Sequence, residues 1–572
     1  MFETELLAYP GELVTSIRQI VVEFGFVAYI FWYICGLLLF ISGLAVIFPG
    51  KMVFVGNLLR KDWIFLALIS IFLFLLRLPN IILPEQNTDE SQLLVGAATL
   101  IADFRPWAAV DIHSNGPLII MPLTLIHYFG GSLSYGSVRL FATIFYVIPT
   151  CIFLFFIFRE LFYSSIAKLF TFPCVAFFCY QNNPDFTGYN GEHVPMLLTS
   201  VILFLSVRCL SRHHSPTIIL AVIGLLLGCT PYSKLQSVPI FLAIGIFWCV
   251  LLMWEKQYKN WIMFLFYSCL PSLLVLGYLF YTGVLEDFYE SYIRSNLLYS
   301  KYALVGAISP PLHNRLATIL EIFSRNIGPL LPLLSWSLIL FLSGMLSLFK
   351  IKKPAILQKQ LVVLFLITIF AAYLAVVIPG NGFDHYLILF LVPFFSFAGY
   401  ITATYFLSAT YKYSLHKLIL LLATVGVPFL LTFHSGSPGI AYALTKPSLE
   451  PSELARYVKR LTTPGDRVVF WGFETRYYIE AGVIQGTREA HPKTVLLSGQ
   501  NDYYRQRFIS DLNAYKPRHI VDLGVSGNRL YKDRRIVLPG LDAAPLIKDY
   551  VDQHYFLVNQ VYDAKIYRRI YQ

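Results

Sequence analysis

Charge is scarce in this chain. Asp, Glu, Lys and Arg make up 13% of its 572 residues, while 57% are hydrophobic. A soluble fold of this length has too little interior for that much apolar surface. Near-charge-free runs of roughly 18–25 residues read instead as membrane-spanning helices. Paired cysteines are missing as well. All eight, Cys35 to Cys269, sit in or beside apolar runs with no CxxC spacing, which argues against a zinc site or a disulfide framework. No polar segment carries a basic stripe interleaved with aromatics, so the net charge of +11 does not point to nucleic acid. Internal repeats, low-complexity tracts and lipidation motifs are absent. The N-terminus, with Glu3, Glu5 and Glu12, lacks a cleavable signal pattern, so the first apolar run is expected to be a retained helix.

Apolar runs begin near Phe24, Trp63, Val138, Ile166, Val194, Thr217, Val238, Trp261, Ile327, Leu361, Tyr386 and Leu418, giving about twelve spans. One further run, Gly116–Gly130, is short and holds two prolines and a histidine. It reads as an interfacial or re-entrant helix. Loop charge agrees. With that run left out, Lys51/Arg60/Lys61, Arg159/Lys168, Arg208/Arg212, Lys256/Lys259, Lys350/Lys352/Lys353/Lys359 and Lys412/Lys417 all fall on one side. The opposite loops QNNPDFTGYNGEH and PGNGFDH contain no Lys or Arg. The positive-inside rule then places those loops, and the segment after Phe433, outside the cytoplasm.

From about His434 the chain alternates strand-like runs (RVVFWG, TVLLS, RHIVDLG, FLVNQVYDAKIYRRI) with helical patterns (PSELARYVKRL, YYRQRFISDLNAYKP, APLIKDYVDQHY). This predicts a small α/β domain. The expected architecture is a polytopic α-helical membrane protein. It has an extra N-terminal span and loop over 1–61, a transmembrane domain over 62–433 with a first outer loop at 81–136, and an extracytoplasmic α/β domain over 434–572. An outer domain without disulfides suggests a bacterial plasma (inner) membrane, with the site facing the periplasm or exterior.

In this topology the ionisable residues gather on the outer face. They are the adjacent Asp89 and Glu90, then Asp103, Arg105, Asp111 and His113, then Asp185, Glu192 and His193. Lys234, Arg294, Asp384, His385 and Tyr386 complete the set. Such residues at a membrane edge are costly unless water, a partner or a substrate holds them. Each has a plainer reading. Thr88–Glu90 and Glu192–His193 suit helix N-termini, Lys234 suits snorkelling to lipid headgroups, and His385–Tyr386 suits an interfacial aromatic belt. Taken singly, they leave the choice open. Their convergence on one face favours a site.

The motif order is informative: LLRLP, NTDE, NGPLIIMPLTLIHYFGG, SVRLFATIF, YNGEHVPMLL, GLLLGCTPYSKLQ and FDHYLILFLVP. Over Leu76–Pro393 it resembles the GT-C membrane glycosyltransferases, in particular the branch of protein O-mannosyltransferases and lipid A aminoarabinose transferases. The resemblance implies transfer of a sugar from a polyprenyl-monophosphate donor to an extracytoplasmic acceptor (glycolipid, cell-envelope glycan or protein), with inversion. A lipid phosphate leaves without a general acid, but the acceptor hydroxyl needs a base, and the departing phosphate needs cations. Asp89, matching the family's Asp, is then the expected base, with Glu90 orienting the acceptor or Asp89 itself. Lys234, Arg294 and Tyr386 are expected at the donor phosphate, with His385, Arg105 and His113 beside them. Glu192, His193 and Asp185 form an acceptor or second acidic site.

One stretch departs from the pattern. Many relatives carry Lys before the proline of the interfacial helix, whereas Ser114-Asn115-Gly116-Pro117 has none. Another cation takes that contact, or the headgroup sits differently. No cofactor is expected to be required. A divalent metal stays open, since Asp89, Glu192, Asp185, His113 and His193 offer ligand atoms without a ligand spacing. Membrane lipids are the other expected partners. Two alternatives remain: a lipid or glycolipid transporter or flippase, and a ligase moving an oligosaccharide from a pyrophosphate-linked lipid. Against the first stand the lack of paired halves and acids placed at one face rather than at the midplane. In the outer domain, Trp471, Tyr477 and Tyr478 either stack on sugars or pack a helix on a sheet.

Overall fold

The computed structural model describes residues 6–570, apart from 50–51, 53–57, 213–215, 300–301, 304–306, 309–314, 316–317, 326–358, 381, 409–412, 447–448, 498–500 and 525–539. Among the described residues, nine helices are long and apolar enough to cross a membrane. Phe26–Ile47, Tyr258–Thr282 and Lys359–Val377 are apolar on every side, as helices lying among lipid and other helices must be. Two expected spans are shorter helices, Ser164–Cys179 and Thr217–Tyr232. The span expected from Ile327, and Lys51, Lys350, Lys352, Lys353 and Lys412, lie outside the described residues. The run read as interfacial is the short helical stretch Pro117–Tyr128.

The two ends of the bundle differ in chemistry. At one end Asp62 meets Arg159 at 2.9 Å and Lys168 at 2.8 Å, and Glu160 meets Arg212 at 2.9 Å. The acids expected at the site lie at the other end, where Asp62–Ile82 gives way to Thr88–Ala102. An unanticipated amphipathic helix, Glu12–Phe24, precedes the first span and buries Val14 and Val21.

The outer unit is a five-stranded sheet in the order Ile484–Gln485, Arg467–Trp471, His519–Asp522, Ala564–Arg569, Tyr555–Val561. The first three strands run parallel, and the last two pair antiparallel. Helices Glu453–Leu461, Asn501–Tyr515 and Pro545–His554 fall where their sequences predict. The strand expected at TVLLS is instead part of the helix Lys493–Leu497. A short apolar run does not separate a strand from a buried helix. The bundle also continues past 433 through Val427–Ser435 and Pro438–Thr445, so the sheet-bearing unit starts at Glu453–Leu461.

That unit does not hang free. Val468, Phe470 and Ile484 share one hydrophobic core with Leu93, Ile120 and Val138 of the membrane domain. Thr475 donates from Oγ1 to the Thr88 carbonyl at 3.1 Å, and the Asp111 N–H donates to the Arg488 carbonyl at 2.7 Å. Trp471 is fully buried against Phe508 and Tyr478 against Phe470, so these rings pack the sheet and do not stack on sugars.

Candidate active site

Within the first outer loop, the side chain of Asn87 accepts from the Glu90 N–H at 2.9 Å and caps the helix Thr88–Ala102. Neither Thr88 nor Asp89 is needed for the cap. Asp89 therefore stands in the first turn with its carboxylate 37% exposed, while its neighbour Glu90 is fully buried.

Glu90 is held by a bidentate pair with Arg139, at 2.8 Å from Nε and 2.5 Å from Nη2, and accepts from the Tyr189 N–H at 2.9 Å. Arg139 spends its remaining donors on the carbonyls of Asn80, Leu83 and Pro84. Glu90 thus cannot reach an acceptor. Its carboxylate is spent on holding the backbone from which Asp89 projects.

His385 organises the other acids. Its Nδ1 lies 3.3 Å from Asp185, and its Nε2 lies 3.9 Å from Glu192 and 4.0 Å from Asp89. Burial pushes the Asp185 carboxyl up, but His385 pulls it down further, leaving it below the usual carboxylate range. Lys234 pairs with the fully buried Glu192 and lies 5.6 Å from the Tyr386 ring centroid. Glu192 makes no side-chain cap bond, so capping does not explain it.

Lys234 is placed by a close backbone approach. Its segment bridges to Asn115, and the Gly116 N–H donates to the Ser233 carbonyl at 2.6 Å. A Cβ at Gly116 would collide with the Tyr232 carbonyl, so the Asn-Gly-Pro sequence lets the interfacial segment touch this loop.

Asp89, Lys234, His385 and Tyr386, together with His113 and Asn115, line one polar cavity of about 110 Å³, with Glu192 and Asp185 behind its wall. The outer unit supplies more of the wall: Phe473, His491, Lys493 and Thr494. Burial lowers the Lys493 ammonium from its ordinary range, with Asp89 opposing that shift, and burial drives His491 well down. An apolar groove of about 300 Å³ shares Ser114, Asn296 and Tyr386 with the cavity. It runs on between Leu235, Val238 and Pro239 on one side and Ala375 and Ile378 on the other.

Three expected site residues lie elsewhere. Arg294 pairs with Glu290 at 2.8 Å and Arg105 with Asp103 at 2.6 Å, both half exposed and outside the cavity wall. Each is turned away by a carboxylate near it in sequence. His193 is buried behind Glu192, its Nδ1 3.1 Å from the Asn190 carbonyl and its ring stacked on Tyr189.

The five residues weighed as metal ligands do not form one cluster. Asp89, Glu192 and Asp185 surround His385, whereas His113 sits with Asp111 and Glu489, a trio close enough to hold an ion. Arg507, however, already pairs with both Asp111, at 2.9 Å, and Glu489. A guanidinium in that position leaves the trio a poor fit for a divalent cation.

The sequence reading missed Lys493 and His491. Their signal was His491-Pro492-Lys493 just before a run taken for a strand.

No family model matches the chain, and no curated protein matches it. Among solved structures, the fold is similar to the oligosaccharyltransferase of Archaeoglobus fulgidus in its apo form, at 12% identity and TM-score 0.44 over 80% of this chain and 69% of that one. It is likewise similar to AglB, the archaeal oligosaccharyltransferase of the same organism, in complex with an inhibitory peptide and a dolichol-phosphate, at 11% identity and TM-score 0.43 over the same shares. At that identity and TM-score the likeness assigns neither activity nor substrate.

Proposed function

We propose that this protein is a membrane glycosyltransferase that moves a sugar from a polyprenyl-monophosphate donor to a hydroxyl of an acceptor outside the cytoplasm. The observation that carries the reading is the junction of a polar cavity holding Asp89 with an apolar groove along the spans, the two sharing Ser114, Asn296 and Tyr386. A molecule with a charged, sugar-bearing head and a long hydrocarbon tail matches that pair of compartments. A soluble sugar donor would have no use for the groove.

In this mechanism the acceptor hydroxyl oxygen attacks the anomeric carbon while Asp89 takes its proton. The bond from that carbon to the phosphate oxygen breaks, and its electron pair leaves with the lipid phosphate. Attack from the face opposite the leaving group inverts the configuration. A positioned base of this kind contributes about 10²–10⁴-fold to the rate. Glu192 holds Lys234 at the wall where the phosphate charge develops, and such fixed cations stabilise a departing anion without reorganising. Asp185 and His385 keep the acidic side of the cavity in register with Asp89. No step runs through a metal. The basic loops at the far end of the bundle support a cytoplasmic position for that end and an outer position for the cavity.

The test is product analysis. Purified protein in lipid nanodiscs is given polyprenyl monophosphate sugars or polyprenyl pyrophosphate sugars, with a glycan or peptide acceptor. Release of free polyprenyl monophosphate with a new glycosidic bond is expected only from the first set. Turnover of the pyrophosphate donors alone would assign a ligase, and transbilayer movement without a new bond would assign a flippase.

A further inference from the structure

Asp89, Lys234 and His385 have parts in the transfer proposed above, as base, phosphate contact and organiser of the acids. A neutral polar set in the same cavity wall has none. Gln92, His113, Asn115 and His491 all line the cavity. Gln92 stands three residues after Asp89 on the helix Thr88–Ala102, so the two share a face. His113 and Asn115 flank Ser114, which also borders the apolar groove. His491 comes from the outer unit, its ring centroid 4.8 Å from Phe473 and 5.9 Å from His113.

Each of the four carries a buried polar atom without a hydrogen-bond partner. These are Gln92 Nε2, both ring nitrogens of His113, Asn115 Oδ1 and His491 Nδ1. Folded proteins leave few such atoms open. Four residues of one small wall that do so point to a ligand that answers them. An amide or an imidazole turns such an atom toward the cavity by rotating its terminal bond. Burial holds His491 well below its ordinary range, so its ring is neutral and offers one donor and one acceptor. The two amides likewise offer both. A hydroxyl also donates and accepts, so the complement of this wall is a ring bearing several hydroxyls. At about 110 Å³ the cavity falls below the roughly 300–1,000 Å³ of drug-sized pockets, which suits one such ring rather than a chain of them.

We propose that this wall is the sugar subsite of the lipid donor, with Gln92 and His491 hydrogen-bonding hydroxyls of the single uncharged sugar that is transferred. The proposal rests on the lipid-phosphate reading above. With the phosphate at Lys234 and the tail in the groove, the sugar enters past Ser114 and lies beside Gln92, next to Asp89. The choice of sugar is then made by both parts of the chain, Gln92 from the membrane domain and His491 from the outer unit.

The experiment measures binding to full-length protein in nanodiscs of a long-chain polyprenyl monophosphate, either sugar-free or carrying glucose, mannose, galactose, glucosamine or glucuronic acid. Wild type is compared with Gln92→Met and His491→Phe, which keep the bulk of each side chain, and unfolding temperatures are recorded for each. Wild type should bind one of the neutral glycosyl lipids about tenfold more tightly than the sugar-free lipid, as one or two buried hydrogen bonds provide. Each variant should lose most of that gain and keep wild-type affinity for the sugar-free lipid. One monodeoxy form of the preferred sugar should bind wild type more weakly than its parent yet bind Gln92→Met equally, which pairs that hydroxyl with Gln92. Equal weakening of the sugar-free lipid would mean a structural role and would overturn the proposal. So would an undiminished preference in either folded variant, or tightest binding of the glucosamine or glucuronic acid donor. No gain from any sugar in wild type would leave water as the partner of these atoms and overturn it too. The lipid-phosphate reading survives all of these results as long as the sugar-free monophosphate outbinds the matching polyprenol. If it does not, that reading falls and the subsite with it.

Discussion

Asp89 and Glu90 are adjacent in sequence and opposite in physics. Glu90 is fully buried, and the oxygens of its carboxylate are engaged by Arg139, Tyr189 and Gln86. Asp89 is over a third exposed and looks into a cavity where His385 is 4.0 Å away. A saturated buried charge holds structure, since any loss leaves its partner uncompensated. A carboxylate in a small polar cavity keeps lone pairs free to take a proton. A single step along the helix thus separates the part that must not change from the part that does the chemistry.

The comparison breaks most visibly at Arg139. Replacing it with Leu strands Glu90 and frees three loop carbonyls, and removing one partner of a buried pair costs about 3–5 kcal/mol. Thermal unfolding of Arg139→Leu should show a loss of that order, with transfer by the folded fraction falling as well because Asp89 loses its support. A pH effect of intermediate size is expected at Glu85, in the loop that Arg139 holds. Burial pushes its carboxyl up to about 8, and it bonds to Ser91. The folded state then holds a proton that the unfolded chain releases near pH 4.5, so stability falls as pH rises between about 4.5 and 8. Glu85→Gln should flatten that slope in unfolding midpoints measured across the range, and an unchanged slope would count against it. The smallest effect belongs to Arg294, whose exposed pair with Glu290 is worth roughly 0–1 kcal/mol. Arg294→Gln should leave both the transfer rate and the melting temperature close to wild type, and a large loss of transfer would return it to the site.

Much of this was legible in the sequence, for definite reasons. Apolar runs report spans directly because lipid forbids unsatisfied backbone, and Gly116–Gly130 was readable from its length and prolines as too short and broken for a span. Counting loop charges put Asp89, His113, Lys234, His385 and Tyr386 on one face, and all five line the same cavity. Side-chain direction was not legible. Arg294 and its neighbours Ser295 and Asn296 share one helical stretch, yet only the neighbours face the cavity. Nor could local sequence reveal that Lys493 comes from the outer unit, because the run that follows it has the β-branched and apolar residues of a strand. Pairing of Ile484–Gln485 beside Arg467–Trp471 left that run to form a helix over the cavity. Tertiary context decided both.

The central claim is that Asp89 is the base while Glu90 is its support. It is tested most directly by single-turnover transfer from a polyprenyl monophosphate sugar with Asp89→Asn beside wild type, together with donor binding and unfolding temperature. The account predicts a rate about 10²–10⁴-fold lower, with donor affinity and melting temperature unchanged. Wild-type transfer by the folded Asp89→Asn protein would contradict it.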